Sequence, residues 1–442
     1  MSKKILIAGS EKFIKEMRSH LLSLDVGIDS ATAEKEVTRK LRLTAISIVI
    51  FEDDAYRAED EKICSRLLEK FRASRKKFIV LSSNKDLDTA ILAKKSGAAD
   101  YITIPYNSRE FFMRLNTVLR NKKRITSIGG GTGLFNLLLA LKTLPNMLLT
   151  SIVSMSDDGG SSGKLQKLFG ILPPGDIRRS LVALSNAPQL MNEVIQHRFS
   201  DVEHFGGHNF GNIFLTALYE IKGNMPEAIR ALGDLLNIQG IVLPTTTTRT
   251  TLCALFDDGT VVKGESKVDL GEGRPLSAHV TKVWHEPESD CYVDAYMSIL
   301  NSDLVIIGPG DLYTSVITNL LVRGVGESIK NTKAKKVYIC NLMTEEAETA
   351  LYDAGRHISE IIKYLRGDYL DFVIISDTKF SIKAMTQYAN KHQFPIDIGD
   401  IDHIHKITKA KLVIADVGDE TELVRHDADK LRDKIEKIMK KI

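Results

Sequence analysis

Three glycine-containing loops between residues 124 and 179 combine the residue types that bind phosphate groups. In the first loop, an apolar run (124–128) precedes four glycines and a threonine (129–133) and a second apolar segment (134–141), a pattern typical of strand, tight turn and helix. Glycine lets the backbone turn sharply and approach a ligand, and the first N–H groups of a helix carry partial positive charge. The loop therefore predicts a phosphate or pyrophosphate site, although Leu134 breaks the strict G-x-G-x-x-G spacing of dinucleotide-binding folds.

The second loop opens with Asp157 and Asp158, at the end of the apolar run 147–155. Acids at the end of a second strand, about 20 residues beyond a glycine turn, contact the ribose in Rossmann-type sites. Paired carboxylates beside phosphates can equally hold a hydrated Mg²⁺ ion. The sequence leaves these two roles open.

The third loop, residues 172–179, places two prolines before Asp176 and ends in Arg178 and Arg179 at an expected helix start. Proline stiffens the chain, and two guanidinium groups are suited to bidentate contact with phosphate. One glycine turn alone is more often an ordinary connection. Three close together, interleaved with acids and bases, favour a nucleotide or phosphate site.

Five segments of the chain resemble the motifs of the CofD-like family, namely IGGGTGL (128–134), SMSDDGGSSG (154–163), LPPGDIR (172–178), GHNFGN (207–212) and GPGDLYTS (308–315). The family includes 2-phospho-L-lactate transferases and gluconeogenesis factors. The order and spacing of the motifs resemble the gluconeogenesis-factor branch. The resemblance extends from residue 124 to the C-terminus and implies a Rossmann-like α/β domain with its ligand at these loops.

The resemblance implies binding residues in all five motifs and at one further strand end. For His208, Asn209 and Asn212, the residue types alone fit a capped helix start equally well. Asp157 and Asp158 are also the candidate Mg²⁺ ligands, and no catalytic residue can be assigned. The expected nucleotide- or phosphate-binding residues are Gly130, Gly131, Thr132, Gly133, Asp157, Asp158, Gly160, Ser161, Ser162, Asp176, Arg178, His208, Asn209, Asn212, Gly308, Gly310, Thr314, Ser315 and Asn341.

Two positions depart from the family pattern. Asp311 stands where the family usually has serine, and a carboxylate there would repel a phosphate that serine would bind. Asp311 is therefore either a helix cap that faces away or a neighbour of a sugar or a metal. Residues 345–347, Glu-Glu-Ala, replace a Gln-Pro-Gly type of turn and could change the choice of ligand.

Residues 1–121 predict a separate, flavodoxin-like domain with a doubly wound parallel sheet, and residues 122–442 the larger Rossmann-like domain. Four apolar runs of the first domain, at 5–8, 46–51, 78–81 and 101–104, alternate with helical patterns. Residues 97–105 resemble the end of a response-regulator receiver domain. The fold class expected for the whole chain is therefore α/β.

The residues that carry receiver chemistry have been replaced. Gly9 and Ser10 stand where receivers have metal-binding acids, Glu52 replaces the phosphorylated aspartate, and Ile104 replaces the lysine before the proline. Ser82 is the one member that is retained. Without acids to hold a metal, nothing neutralises an incoming phosphoryl group, so we predict a pseudo-receiver that is not phosphorylated at Glu52.

Composition excludes several classes of protein. With 442 residues the chain is longer than a single hydrophobic core normally supports, so we expect two or more domains. Its net charge of +3 (60 basic, 57 acidic residues) is too small to attract nucleic acid over the whole surface. Its four cysteines form no C-x-x-C pair, which argues against a zinc cage or a disulfide framework. We expect a cytoplasmic protein, because no apolar stretch has the length of a membrane span and no signal peptide is recognisable.

Three functions are compatible with these observations. The gluconeogenesis-factor resemblance implies a protein that binds a UDP-sugar or another nucleotide diphosphate and supports carbon metabolism, cell shape and envelope synthesis. The second is a Mg²⁺-dependent transferase similar to 2-phospho-L-lactate transferase, and the third a nicotinamide-dinucleotide oxidoreductase. We favour the first, because a lone tryptophan, Trp284, and no aromatic cluster near the loops offer little to stack a deazaflavin ring. Turnover and a homodimer through either domain are left open.

Overall fold

The computed structural model describes residues 4–22, 24, 26–200, 206–271, 278–421 and 423–442. The chain divides into two compact units, Met1–Lys122 and Lys123–Ile442. None of the helices in these described ranges combines the length and the apolarity that crossing a bilayer requires.

The first unit is a five-stranded parallel sheet with helices on both faces. Its strands are β1 Lys4–Ala8, β2 Gly27–Ala31, β3 Ile46–Glu52, β4 Lys77–Ser82 and β5 Asp100–Thr103, and its helices are α1 Glu11–Leu21, α2 Glu34–Leu41, α3 Asp53–Glu59, α4 Glu61–Ser74, α5 Leu87–Lys95 and α6 Ser108–Arg120. The strand order β2-β1-β3-β4-β5 is that of flavodoxin-like folds, which confirms the expected fold class.

The edge strand β2 is the strand that the apolar pattern did not predict. Its sequence, GIDSA, is only partly buried, because an edge strand packs with one neighbour. The central strands bury nearly every residue, as parallel strands covered on both faces do. Their aliphatic side chains form the core of this unit together with Phe13, Phe111 and Leu115.

The second unit is built on a seven-stranded sheet. The strands of this unit, which belong to the main sheet and to two smaller ones, are β6 Lys123–Gly129, β7 Met147–Val153, β8 Ile241–Pro244, β9 Thr251–Phe256, β10 Val261–Lys263, β11 Val280–Glu286, β12 Leu304–Ile307, β13 Lys335–Ile339, β14 Phe372–Ser376, β15 Lys411–Ala415, β16 Gly418–Asp419 and β17 Arg425–His426. The main sheet has the order β15-β14-β13-β12-β6-β7-β8 and is parallel throughout. The remaining strands form small antiparallel sheets, β10-β9-β11 and β16-β17.

Helices connect these strands. They are α7 Gly131–Lys142, α8 Gly160–Phe169, α9 Gly175–Leu184, α10 Gln189–Gln196, α11 Phe210–Lys222, α12 Met225–Leu235, α13 Glu265–Leu270, α14 Val293–Leu300, α15 Thr318–Leu320, α16 Val325–Asn331, α17 Glu346–Thr349, α18 Ala354–Leu365, α19 Ile382–Ala389, α20 Ile401–Ile407 and α21 Ala428–Met439, with a π-helical segment Leu312–Ile317 directly before α15.

The strand order of the main sheet reverses between β6 and β12. Counted along the sheet the order is 3-2-1-4-5-6 with one further strand, which is the Rossmann arrangement and confirms that part of the predicted fold. In open α/β sheets of this kind, ligands bind beyond the carboxyl ends of the strands at the point of reversal. The loops that follow β6 and β12 are the first and the last of the predicted glycine motifs.

Candidate functional site

The two glycine turns touch each other at the point of strand reversal. Helix α7 begins at Gly131, whose φ of +63° is in the left-handed region that glycine adopts without strain. A Cβ atom added at Gly133 would lie 2.5 Å from the carbonyl oxygen of Pro309, in the loop after β12. Only a residue without a side chain lets the two loops pack this closely.

A cavity of about 740 Å³ opens beside these turns. This volume is within the range of small-molecule sites. Nine of the expected binding residues line it, namely Gly131, Thr132, Gly133, Asp157, Gly160, Asp176, Gly310, Ser315 and Asn341.

The other expected residues lie outside the lining of this cavity. They are Gly130, Asp158, Ser161, Ser162, Arg178, His208, Asn209, Asn212, Gly308 and Thr314. Gly130 is the N-cap residue of α7, and a Cβ there would lie 2.6 Å from Oδ2 of Asp176. Gly308 has its N–H bonded to the carbonyl of Ile128 and extends the sheet ladder.

The two adjacent aspartates point in different directions. Asp157 lines the cavity, and its Oδ1 accepts a hydrogen bond from the N–H of Gly159 at 3.0 Å. Asp158 instead accepts hydrogen bonds from the N–H and the hydroxyl of Ser266, at 2.9 and 2.7 Å. The pair therefore does not face one common ligand, and the Mg²⁺ hypothesis depends on Asp157.

The helical start after Gly310 is already capped by a carboxylate of the chain. Glu348, which is buried, accepts hydrogen bonds from the N–H of Tyr313 at 2.8 Å and from the hydroxyl of Thr314. Burial, followed by the charge of the nearby Asp311, raises the pKa of Glu348 to about 8. Thr314 thus has a partner within the protein at the position where the sequence analysis expected a phosphate.

Asp311 faces the cavity. It is the N-cap residue of the π-helical segment but makes no capping hydrogen bond with its side chain. Burial, followed by the charges of Asp269 and Asp176, raises the pKa of Asp311 to about 6. Asp311 is therefore not a cap that faces away from the cavity, and its role beside a sugar or a metal stays a prediction.

Further carboxylates make this cavity rich in acids. Burial raises the pKa of Glu265 to about 10 and that of Glu345 to about 7. Burial also raises the pKa of Asp157, and the charge of Asp176 adds to this effect. Among the described residues that line the cavity, the acids are Asp157, Asp176, Glu265, Asp269, Asp311 and Glu345, against the bases Arg179, Lys391 and Arg425.

One wall of the cavity comes from segments in which the sequence showed no motif. It includes Tyr388, which is the last but one residue of α19, and Lys391 and Gln393 in the turn beyond it. Arg425 and His426 of β17 complete this wall. The only signal in the sequence is topological, because these segments follow strands whose carboxyl ends lie at the same edge of the sheet.

Five of the motif residues that do not line the cavity form a second polar cluster next to α8. The hydroxyl of Ser161 lies 3.1 Å from Nδ1 of His208 and accepts hydrogen bonds from the backbone N–H of Asn209 and from Nδ2 of Asn212, each at 3.3 Å. Oδ1 of Asn212 accepts a hydrogen bond from Nε of Arg178 at 3.0 Å. All five side chains are buried. The capping role that the residue types left open is also present, since Asn209 caps α11.

In the first unit, Glu52 covers the turn where receivers have their acids. Its Oε2 accepts a hydrogen bond from the N–H of Ser10 at 2.6 Å, and a Cβ at Gly9 would lie 2.6 Å from the same oxygen. The hydroxyl of Ser82 lies within 3.2 Å of carboxylate oxygens of Asp53 and Asp54. The polar groups of this pocket are therefore bonded to one another.

No group of three or more metal-ligating side chains lies close enough together to hold a metal ion by itself, as far as the described residues are concerned. Asp157 and Asp176, which line the same cavity, nevertheless suit an ion that takes its other ligands from a diphosphate and water, as Mg²⁺ usually does. Burial and, after it, the charge of Asp176 raise the pKa of Asp157.

Comparisons with known proteins match the second unit. The family model described as 2-phospho-L-lactate transferase CofD matches residues 125–417. The gluconeogenesis factor of Bacillus subtilis is 36% identical over 312 residues, which are 70% of this chain and 96% of that protein. The gluconeogenesis factor of Halalkalibacterium halodurans is 36% identical over 317 residues, 71% of this chain and 96% of that protein. A crystal structure of a UPF0052 family protein from Bacillus halodurans superposes with a TM-score of 0.67 at 35% identity and covers 71% of this chain and 98% of that one.

Proposed function

Because this chain belongs to the CofD family, and within it is similar to gluconeogenesis factors, we propose that it binds a UDP-sugar or a related nucleotide diphosphate in the cavity at the sheet edge. As a gluconeogenesis factor it would act in the cytoplasm, in the control of carbon metabolism, cell shape and envelope synthesis. The ligand is a small molecule, and no nucleic acid is involved.

The observation that carries this proposal is the position of the cavity relative to α7. The N–H groups of Thr132 and Gly133 belong to the first turn of that helix, where backbone donors have no partner within the helix. They border the cavity at the point of strand reversal. A diphosphate placed there would meet the positive end of α7, and the remaining volume is sufficient for a sugar or a base.

The acids of the cavity make a divalent cation a natural companion of such a ligand. A diphosphate brings negative charge to a site where burial and the charge of Asp176 already raise the pKa of Asp157. We propose that these two carboxylates would hold Mg²⁺, which would offset the charge between them and the phosphates. The acids farther along the cavity, Asp311 and Glu345, would then accept hydrogen bonds from sugar hydroxyls.

The second candidate is a transferase that resembles 2-phospho-L-lactate transferase. The family match supports it, and so does the presence of a second polar cluster, around Arg178, that could position an acceptor. In such a reaction the protein would act chiefly by orienting two reactants and stabilising charge on the diphosphate.

Calorimetric titration of the full chain tests the proposal with UDP-glucose, GDP and NAD⁺, each with and without Mg²⁺. We expect UDP-glucose to bind most tightly. The variant Asp157→Asn should weaken Mg²⁺-dependent binding by roughly tenfold or more, because it removes a charged contact. Asp158→Asn is the matched control, since the carboxylate of Asp158 is bonded to Ser266 and does not itself line the cavity.

Two results would reject parts of the proposal. Failure of the wild type to bind any of these nucleotides would reject the function itself. Equal affinity of the wild type and Asp157→Asn in the presence of Mg²⁺ would reject the role given to Asp157.

A further inference from the structure

The charge of the chain is divided unevenly between its two units. Residues 1–122 contain 24 basic and 17 acidic residues, whereas residues 123–442 contain 36 basic and 40 acidic residues. The small net charge of the whole chain therefore conceals a first unit that is clearly basic. Such an asymmetry between two parts of one chain favours an anionic partner for the basic part.

Within the first unit, the bases gather at one edge of the sheet. Helices that follow parallel strands run back across the sheet, so α2, α4 and α5 end at the edge where the strands begin. Segments 39–45, 72–77 and 94–99 cover the ends of these helices and the turns into β3, β4 and β5, and they contain nine basic residues and no acid. We call these three segments the basic edge. At the opposite edge, segments 52–54 and 83–88 contain five acids and one lysine.

The three segments of the basic edge touch one another. Nζ of Lys76 donates hydrogen bonds to the carbonyl oxygens of Leu43 and Ile46, at 2.9 and 2.6 Å, and so joins the first segment to the second. A Cβ atom added at Gly97 would lie 3.9 Å from Cγ of Arg72, which places the third segment beside the second. The basic edge is therefore one continuous surface.

Three arginines of the basic edge have charges that the chain does not neutralise. Arg42, Arg72 and Arg75 are exposed, and none of them forms an ion pair with a residue that the structure describes. A cation near a helix C-terminus is favourable by itself, and Arg72, in the last turn of α4, fits that role. Helix ends favour single cations, but they do not account for three neighbouring segments without any acid, because protein surfaces normally intersperse both signs.

An exposed leucine lies among these charges. Leu43 is 49% exposed and follows Arg42, and the bond from Lys76 to its carbonyl oxygen fixes the turn between α2 and β3. Leu22, the C-cap residue of α1, is 79% exposed at the end of a further helix that finishes at this edge. Aliphatic side chains next to cations are typical of surfaces that lie on anionic lipid. Single-stranded nucleic acid would instead need aromatic side chains for stacking, and the three segments contain none.

We propose that the basic edge of the first unit binds the surface of a membrane rich in anionic lipids. Arg42, Arg72 and Arg75 would contact the phosphates of the headgroups, and Leu43 would enter the boundary between headgroups and acyl chains. The binding would be peripheral and reversible, because it adds up several contacts that are weak one by one. The inference does not depend on the proposed function, since no residue of the basic edge lines the cavity of the second unit.

Sedimentation of the full chain with lipid vesicles tests the proposal. The wild type should bind vesicles made of equal parts of phosphatidylglycerol and phosphatidylcholine, and it should not bind vesicles of phosphatidylcholine alone. The triple variant Arg42→Gln, Arg72→Gln and Arg75→Asn should bind the anionic vesicles at least about twentyfold more weakly, because each Lys or Arg near an anionic surface adds to the attraction. Asparagine is chosen at position 75 because it tolerates the left-handed backbone there, with a φ of +57°.

A matched control removes the same charge from elsewhere in the first unit. Lys12, Lys15 and Lys62 are exposed, and they lie in the first halves of α1 and α4, which begin at the opposite edge of the sheet. The triple variant Lys12→Gln, Lys15→Gln and Lys62→Gln should stay within about threefold of the wild type in its affinity for anionic vesicles, because salt screens exposed charges that are far from the lipid. Unfolding midpoints measured by circular dichroism would show that both triple variants fold.

Leu43→Ser separates a lipid surface from a soluble polyanion. The substitution keeps every charge and should weaken binding to anionic vesicles by about fivefold, because the leucine no longer contributes apolar burial. Its retention on heparin should equal that of the wild type, since heparin offers no apolar phase. Equal vesicle binding by Leu43→Ser and the wild type would show that the surface recognises charge alone, and the assignment to lipid would be wrong.

Other results would overturn the proposal as a whole. They are a wild type that does not bind the anionic vesicles, equal binding by the wild type and the arginine variant, and an equal loss of binding in the two triple variants. Tighter binding of a short DNA duplex than of the anionic vesicles would identify nucleic acid as the partner and would reject the membrane.

Discussion

The carboxylate of Asp176 accepts a hydrogen bond from the backbone N–H of Gly131 at 2.9 Å, although the two residues are 45 positions apart. The same oxygen lies 3.4 Å from the hydroxyl of Ser154, at the end of β7. One side chain at the start of α9 therefore connects the ends of the first two strands of the main sheet. This acid therefore joins the third loop to the first loop and to the strand end that precedes the second.

Replacement of Gly133 by alanine should destabilise the second unit. The new Cβ would lie 2.5 Å from a backbone oxygen, that of Pro309, which cannot move without shifting the loop after β12. We expect a loss of about 1–3 kcal/mol in the free energy of unfolding, measured by urea titration with circular dichroism. Gly326→Ala, in α16, is the control, because the atom nearest to its added Cβ, the carbonyl oxygen of Leu365, would be 3.9 Å away. A Gly133→Ala protein with the unfolding midpoint of the control would contradict the tight contact.

The free energy of unfolding should decrease as the pH rises, because of Glu345. Burial, with the charge of Asp311, raises its pKa from 4.5 to about 7, so between these values the folded chain binds more protons than the unfolded chain. The free energy of unfolding therefore falls as the pH rises through this window, by up to about 3 kcal/mol. Glu345→Gln abolishes the titration and should gain stability over the wild type between about pH 5 and pH 8.

Unfolding midpoints at a series of pH values check this expectation. Glu346→Gln changes the neighbouring position in the same loop and serves as the control. If the difference between Glu345→Gln and the wild type did not vary with pH, Glu345 would not be the titrating group.

Thr318→Val should cost stability without changing side-chain volume much. The hydroxyl of Thr318 lies 2.8 Å from Oγ of Ser156 and 2.9 Å from Nε2 of His285, and all three residues are buried. Valine would leave both partners unsatisfied, at about 1–3 kcal/mol for each. Thr386→Val, on the exposed face of α19, should change the unfolding midpoint little. Similar midpoints for the two variants would show that the buried hydrogen bonds contribute nothing.

Beryllofluoride with Mg²⁺ should not bind to the first unit. The carboxylate of Glu52 is held by the N–H of Ser10, and the acids that would bind the metal are absent from positions 9 and 10. Titration of the full chain, followed by the amide signals of residues 9–10 and 82–83 in nuclear magnetic resonance spectra, checks this. Saturable shifts at these signals would show that the pocket retains receiver chemistry.

The glycine turns could be predicted from the sequence, because a run of glycine between a strand and a helix is a local pattern. Their meeting at one sheet edge followed from the Rossmann order that the motifs implied. The direction of individual side chains could not be predicted. Asp158 turns away because Ser266, more than a hundred positions later, offers two donors, and Arg178 turns towards Asn212.

The acidic character of the cavity could not be predicted from local sequence patterns either. Glu348 caps Tyr313 and Thr314 from a segment that shares no motif with them. Asp269 and Glu345 likewise reach the cavity lining from segments distant in sequence. In the first unit, β2 escaped prediction because an edge strand needs no continuous apolar run. Contacts between segments distant in sequence and partial burial are therefore the two features that a local pattern of residue types does not predict.

The family match ends at residue 417, yet Arg425 and His426 still line the cavity, and the buried face of α21, with Leu431, Ile435 and Ile438, packs in the same core as α7. A fragment cut where the family match ends would keep all five motifs and both glycine turns but would lose this wall, so one side of the cavity would be open and the face of α7 that α21 covers would be exposed to solvent.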